Sequence, residues 1–232
     1  MIQVRAAVDR GGFDFGWLDT KHTFSFGDYH DPDWSGFSVL RVLNEDRVLP
    51  GQGFGTHGHR DMEILTWVLE GSIEHRDSLG NGEILRPGEI QRMSAGTGIR
   101  HSEFNPSKDS PLHFLQIWIQ PARPGIAPSY EQKAVDPARL DGIFGVVASP
   151  DGRDGSVRIQ QDATLSIARI ESGRSAAIVL GAGRNGWVQV ARGSVELVGH
   201  KLSAGDGAAV RGETELGFLA SAPSEILVFD LP

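Results

Sequence analysis

Two pairs of residues in this chain have the types and the spacing to hold a metal ion. In FGTHGHRDMEILTWVLEG, His57 and His59 stand at i and i+2; in MSAGTGIRHSEFNPS, His101 and Glu103 repeat that spacing. On an extended strand such residues share a face, with backbones roughly 6.6–7 Å apart, so both side chains can lean toward one atom. Three imidazoles and one carboxylate suit a divalent transition metal. Four protein ligands would leave two neighbouring positions of an octahedral ion open to substrate, water or O2.

The elements that must position these pairs read as β-strands. GFSVLRVLNEDRVLPG alternates and ends in a turn, EILTWVLEGSIEHRD reads as strand, glycine break and strand, and LHFLQIWIQP is a buried strand stopped by Pro121. The Asn-Gly of DSLGNGE favours a tight hairpin. Thirty glycines between short periodic runs fit an all-β sandwich or barrel. Residues 121–142 carry four prolines and no strand periodicity, which predicts a linker with a short helical turn. Strand rhythm then resumes and echoes the first half: EGSIE is answered by RGSVE, and LRPGE by LSAGD. This repeat predicts a duplicated β domain, with domains at 1–132 and 143–232 joined by a linker at 133–142. Shifting the ligand pairs by the repeat lands near Val179, Gly181, Phe218 and Ala220, none of which binds a metal through its side chain.

Composition excludes several classes. The chain has 232 residues and no cysteine, which removes disulfides, thiolate metal sites and cysteine nucleophiles and makes a cytoplasmic setting the expectation. Thirty acidic against 22 basic residues give a net charge of −8, unfavourable for direct nucleic-acid binding. No run approaches the ~18–20 apolar residues of a membrane span, and the start lacks the apolar core of a signal peptide.

These residues carry a family resemblance. GQGFGTHGHRDMEILTWVLEG resembles the first cupin motif and SAGTGIRHSEFN the second. The chain is more closely similar to the pirins, through GWLDTKHTFSFGDYHDP, both histidine segments, YEQK and ILVFDLP. Seven residues rather than six separate Glu63 from Gly71, and four rather than two separate Gly96 from His101. Pirins share both departures, and there the fourth ligand is the glutamate after the third histidine. The resemblance therefore implies two tandem cupin (jelly-roll) barrels, with one metal site in the N-terminal one, built from His57, His59, His101 and Glu103.

Short bacterial pirins include quercetin 2,3-dioxygenases. That likeness implies a flavonol and O2 as substrates, Glu103 as general base, ring opening with release of carbon monoxide, and iron(II) as the first expectation among iron, manganese, nickel, cobalt, copper and zinc. Two rival readings remain: a metal-bearing regulator that binds a protein partner such as a transcription factor, and another cupin reaction. The two-domain form implies a monomer. Around the centre, Glu63 is expected to orient an imidazole, Gln116 to face the site as a buried polar group, and Phe54 and Met93 to supply apolar walls. Trp67 is as well suited to the core as to those walls. His22 with Phe24 and Phe26 lines a cavity or packs in the core, the latter expected for the two phenylalanines. His75 and His113 are expected to be structural or surface histidines.

Overall fold

A computed structural model describes Met1–Pro232. It contains β-strands and three 3-10 turns, and no helix is long and apolar enough to cross a membrane. The chain forms two compact units. One comprises Gly11–Ala134 with Val157–Gln161; the other comprises Met1–Arg10, Val135–Ser156 and Asp162–Pro232.

Each unit is a two-sheet antiparallel barrel. In the first, the larger sheet runs Ser129–Ala134, Glu89–Ser94, Glu63–Glu70, Leu112–Ile119, Leu40–Val48, Leu18–His22, Gly11–Asp14. The smaller sheet runs Gly53–His59, Ile99–Phe104, Ile73–Asp77, Gly82–Leu85. Alternating apolar residues from both sheets meet in between: Val48, Val68, Leu112 and Phe114 from one, Ile73 and Leu85 from the other. Burying those side chains away from water is the main favourable term for such a sandwich.

The second unit repeats the plan. Its larger sheet contains Thr164–Ile170, Ser224–Leu231, Asn185–Arg192, Gly207–Arg211 and Ile2–Arg5 in neighbouring order, and its smaller one runs Ser175–Val179, Glu215–Ala220, Ser194–Leu197, His200–Ser203. The echoed motifs fall on the same turn in both barrels. Gly71 and Gly193 each have φ of 76°. A Cβ would lie 2.5 Å from the Pro111 carbonyl oxygen at the first and 2.2 Å from that of Pro223 at the second. Only glycine fits both the left-handed backbone and the close approach.

Three sequence expectations meet a different local structure. Within residues 121–142, Ser129–Ala134 is a strand paired with Glu89–Ser94, while the expected helical turn appears as the 3-10 turn Pro137–Arg139, capped by Asp136. The four prolines flank that strand and none lies inside it. The hairpin at Asn81-Gly82 forms, but not as a two-residue turn. Gly80 takes the left-handed conformation, and the Asp77 carboxylate accepts the backbone N–H groups of Leu79 and Asn81. The start of the chain, assigned by sequence to a first domain of 1–132, belongs to the other unit, because Ile2–Arg5 pairs with Gly207–Arg211.

Candidate metal centre

His57 and His59 lie on the outer strand of the smaller sheet, and His101 and Glu103 lie on its neighbour, Ile99–Phe104. The register pairs His101 with His57 and Ile99 with His59, then slips, so that Glu103 faces Phe54. The slip is a β-bulge around Gly55 and Thr56, a device that re-aims side chains at the rim of a barrel. It turns the Gly55 carbonyl toward His57, whose Nδ1 lies 2.8 Å away. Ligand atoms of His57, His59 and His101 fall within 4.8 Å of one another, as do those of His75, His101 and Glu103.

The hydrogen bonds assign the tautomers. His57 Nδ1 donates to Gly55, which leaves a lone pair on Nε2, and that atom faces His101 Nε2 at 3.1 Å. Behind the centre, His75 Nε2 lies 3.1 Å from the Asp77 carboxylate and donates to it, so His75 Nδ1 is an acceptor. It accepts from Gln91 Nε2 at 3.3 Å and faces His101 Nδ1 at 3.5 Å. His101 therefore keeps its proton on Nδ1 and points a second lone pair at His57. Two nitrogen lone pairs at that distance repel unless a cation lies between them. Burial, then the neighbouring histidines, push His101 down to about 2 and His59 down to about 4, so both rings are neutral donors near pH 7.

Glu103 completes the cluster. It is buried, Gln116 Nε2 donates to its Oε2 at 3.0 Å, and its Oε1 is buried with no partner. Thr66 donates to Gln116 Oε1 at 3.1 Å, which fixes the orientation of the amide. Burial pushes the Glu103 carboxyl up to about 7; Gln116 opposes that rise and Asp46 adds to it. An orphaned carboxylate oxygen beside imidazole lone pairs fits a divalent cation.

The cluster opens on a cavity of about 280 Å³. Phe13, Phe15, Phe26, Phe54 and Trp118 form apolar walls, and Thr20, His22, Asn44, Asp46 and Gln116 supply polar groups. Trp118 also meets His59 edge-on at 4.9 Å. Of the residues expected from sequence, His57, His59, Glu103, Phe54 and Gln116 line the cavity, with His101 packed against the two other rings.

Two expected neighbours stand elsewhere. Glu63 opens a strand of the larger sheet, where Ser94 Oγ and Gln160 N donate to its Oε2; no imidazole is among its hydrogen-bond partners. Met93 packs with Ile64, Ala95 and Ile99 in the core instead of lining the cavity, as its inward strand position against Ile64 requires. Phe26, expected in the core, reaches the cavity wall because it lies in the loop after Leu18–His22, while Phe24 and Trp67 are fully buried. His113 is buried against Glu45 at 2.9 Å, a structural role as expected.

The family model described as Pirin matches residues 3–119. The chain belongs to the pirin family. A second model, described as the quercetinase C-terminal cupin domain, matches residues 146–231. The chain is 50% identical to a quercetin 2,3-dioxygenase of Escherichia coli K12, covering 100% of this chain and 99% of that protein. It is 40% identical to a pirin-like protein of Caulobacter vibrioides, with 99% of each covered. Among solved structures, it is similar to the bacterial pirin YhhW of Escherichia coli in complex with nickel(II), at a TM-score of 0.95 and 50% identity over 100% of this chain and 99% of that one.

In this pirin only the N-terminal cupin barrel carries the His/Glu cluster. In the C-terminal barrel the inward positions of the corresponding strands hold Leu216, Phe218 and Ala220, and the register pairs Phe218 with Ala176 and Leu216 with Ile178. Phe218 and Ala220 stand where the repeat places His101 and Glu103. Ala176 and Ile178, rather than Val179 and Gly181, stand where His57 and His59 would be. The sequence shift misses by three residues: five residues rather than three connect Ser175–Val179 to the next strand, and Val179 extends that strand one residue past Ile178, whereas His59 ends its own.

Proposed function

We propose that the N-terminal barrel is the active site of a metal-dependent dioxygenase that opens a flavonol such as quercetin with O2 and releases carbon monoxide. His57, His59, His101 and Glu103 would hold one divalent transition metal. His75 stays outside that set because Asp77 and Gln91 occupy its nitrogens. A bound divalent ion supplies Lewis acidity toward a hydroxyl oxygen of the substrate. Iron(II) stays our first assignment, and the nickel(II) complex of the Escherichia coli relative is consistent with the breadth expected of such ligands.

The observation that carries this reading is Glu103. One of its oxygens is fixed by Gln116 and the other is free within an aromatic cavity. Burial raises this carboxyl to about 7 in the metal-free protein, a bound cation would oppose that rise, and the carboxylate is the group we assign to accept the substrate's proton. Phe54 and Trp118 exclude water and offer flat surfaces to an aromatic ring.

The test is aerobic and anaerobic incubation of metal-loaded protein with quercetin. Oxygen-dependent bleaching with carbon monoxide in the headspace supports the reading. Glu103→Gln, which keeps the shape but removes the base and an anionic metal ligand together, should lower the rate by about 10²–10⁴-fold when compared at equal metal content. Quercetin that stays intact in air with fully loaded protein would sink the proposal, and tight partner binding without turnover would favour a regulator.

A further inference from the structure

The floor of the cavity has polar groups that the metal centre does not use. Along the larger sheet, one row of cross-strand neighbours runs His22, Asn44, Gln116, Thr66, and the next runs Thr20, Asp46, Phe114, Val68. Gln116 and Thr66 serve Glu103, as described. Asn44 and Asp46 do not, although both are buried and both line the cavity. Asn44 Oδ1 and Asp46 Oδ1 are each without a hydrogen-bond partner, and Asp46 has only Thr20 at its carboxylate.

The C-terminal barrel shows what the fold itself requires at these places. Its matching rows are Ser166, Val228, Val188 and Ala168, Ile226, Val190. Ala168 occupies the place of Asp46, and it packs in a core cluster with Val188, Val190, Ile226 and Val228. The same strand plan is therefore satisfied by a methyl group. A buried carboxylate with an empty acceptor costs stability, and nothing in the strand plan accounts for it.

We propose that Asp46 and Asn44 form a second polar pole of the cavity, which binds ring hydroxyl groups of a neutral polyhydroxylated aromatic ligand. The inference takes its probes from the dioxygenase reading and rests on that reading for the other end of the ligand. The two empty acceptors call for hydrogen-bond donors. None of the lining side chains is a lysine or arginine, so a phosphate or carboxylate would find no counter-charge here. Phe13 and Phe26 line the same cavity and pack on His22, the cross-strand neighbour of Asn44, where they suit an aromatic ring that carries those hydroxyls. The Asp46 row lies two residues along the strand from the Asn44–Gln116 row, roughly 7 Å. One ligand can thus be held at both ends, near Glu103 and near Asp46.

The experiment compares two flavonols with the same 3-hydroxy-4-keto edge. Quercetin carries additional ring hydroxyls and 3-hydroxyflavone carries none. Calorimetric titration of the metal-loaded protein without oxygen should show quercetin binding about tenfold tighter or better. Asp46→Ala installs the residue of the other barrel, and it should bring that preference, read as the ratio of the two affinities in the same protein, to within about twofold. Asp46→Asn keeps the shape, carries the test if the alanine variant does not fold, and should lose at least about threefold of the preference.

A parent protein without preference, or a folded variant that keeps the whole of it, overturns the proposal. If preference falls in the variant but the parent never bleaches quercetin in air, the polar pole stands and the dioxygenase reading fails. If the parent bleaches quercetin and the variant's preference is intact, the reverse holds.

Discussion

Strands Gly53–His59 and Ser175–Val179 hold corresponding places in the two smaller sheets, yet their pairing differs. The first slips register against Ile99–Phe104, and the second pairs with Glu215–Ala220 without a break. Where the bulge lies, His57, His59, His101 and Glu103 converge; where it is missing, Ala176, Ile178, Phe218 and Ala220 pack as core. The glycine turns at 71 and 193 are alike in both. Shared features thus belong to the architecture, while the features confined to one barrel belong to its chemistry. Buried polar groups are the sharper guide, since apolar cores need no explanation and unpartnered acceptors do.

The two barrels should differ most in their response to substitution at the ligands. His101→Phe places the C-terminal barrel's residue in the N-terminal one, and bound metal and quercetin turnover should both be lost while a cooperative thermal transition remains. Elemental analysis and an oxygen-uptake assay measure this directly. The turns come next. Gly71→Ala and Gly193→Ala should each destabilise by about 2 kcal/mol or more, through a left-handed backbone and a Cβ pressed on a carbonyl. Similar losses in urea unfolding would show the device to be equivalent in both barrels; a silent variant at either site would show that it is not.

Gln116 and Val228 permit a reciprocal exchange. Gln116→Val releases Glu103 and should lower kcat/KM by about 10–100-fold. Val228→Gln buries an amide without partners and should cost about 1–3 kcal/mol. The smallest effect is electrostatic. Burial pushes Asp46 up to about 7, above its unfolded value near 3.8, so the folded state holds more protons between those two values. Stability of the metal-free parent should accordingly fall as pH rises from about 4 to 7 relative to Asp46→Asn. Parallel melting curves across that window would remove Asp46 as the cause.

Much of this was legible in the sequence because the i, i+2 spacing fixes a common strand face without tertiary information. His57, His59, His101 and Glu103 are of that kind, and so is the repeat that marks the two hairpins. The rest depends on pairing between distant segments. His75 carries no local sign that Glu103 lies across from it in register. Asn44 and Asp46 sit on a central strand with mostly buried residues on both faces, so alternation cannot say which face meets a cavity. Glu63 shares strand parity with His57 and His59, but the turn between them carries the chain into the other sheet.

The pairing of Ile2–Arg5 with Gly207–Arg211 has a kinetic consequence. Translation delivers Ile2–Arg5 long before Gly207–Arg211, so the earlier strand must wait unpaired while the intervening chain is made. Nascent chains in that interval display backbone groups open to other strands, which is a recognised route to aggregation. A version permuted to carry Met1–Arg10 after Pro232 should precipitate less during its synthesis than the natural order does.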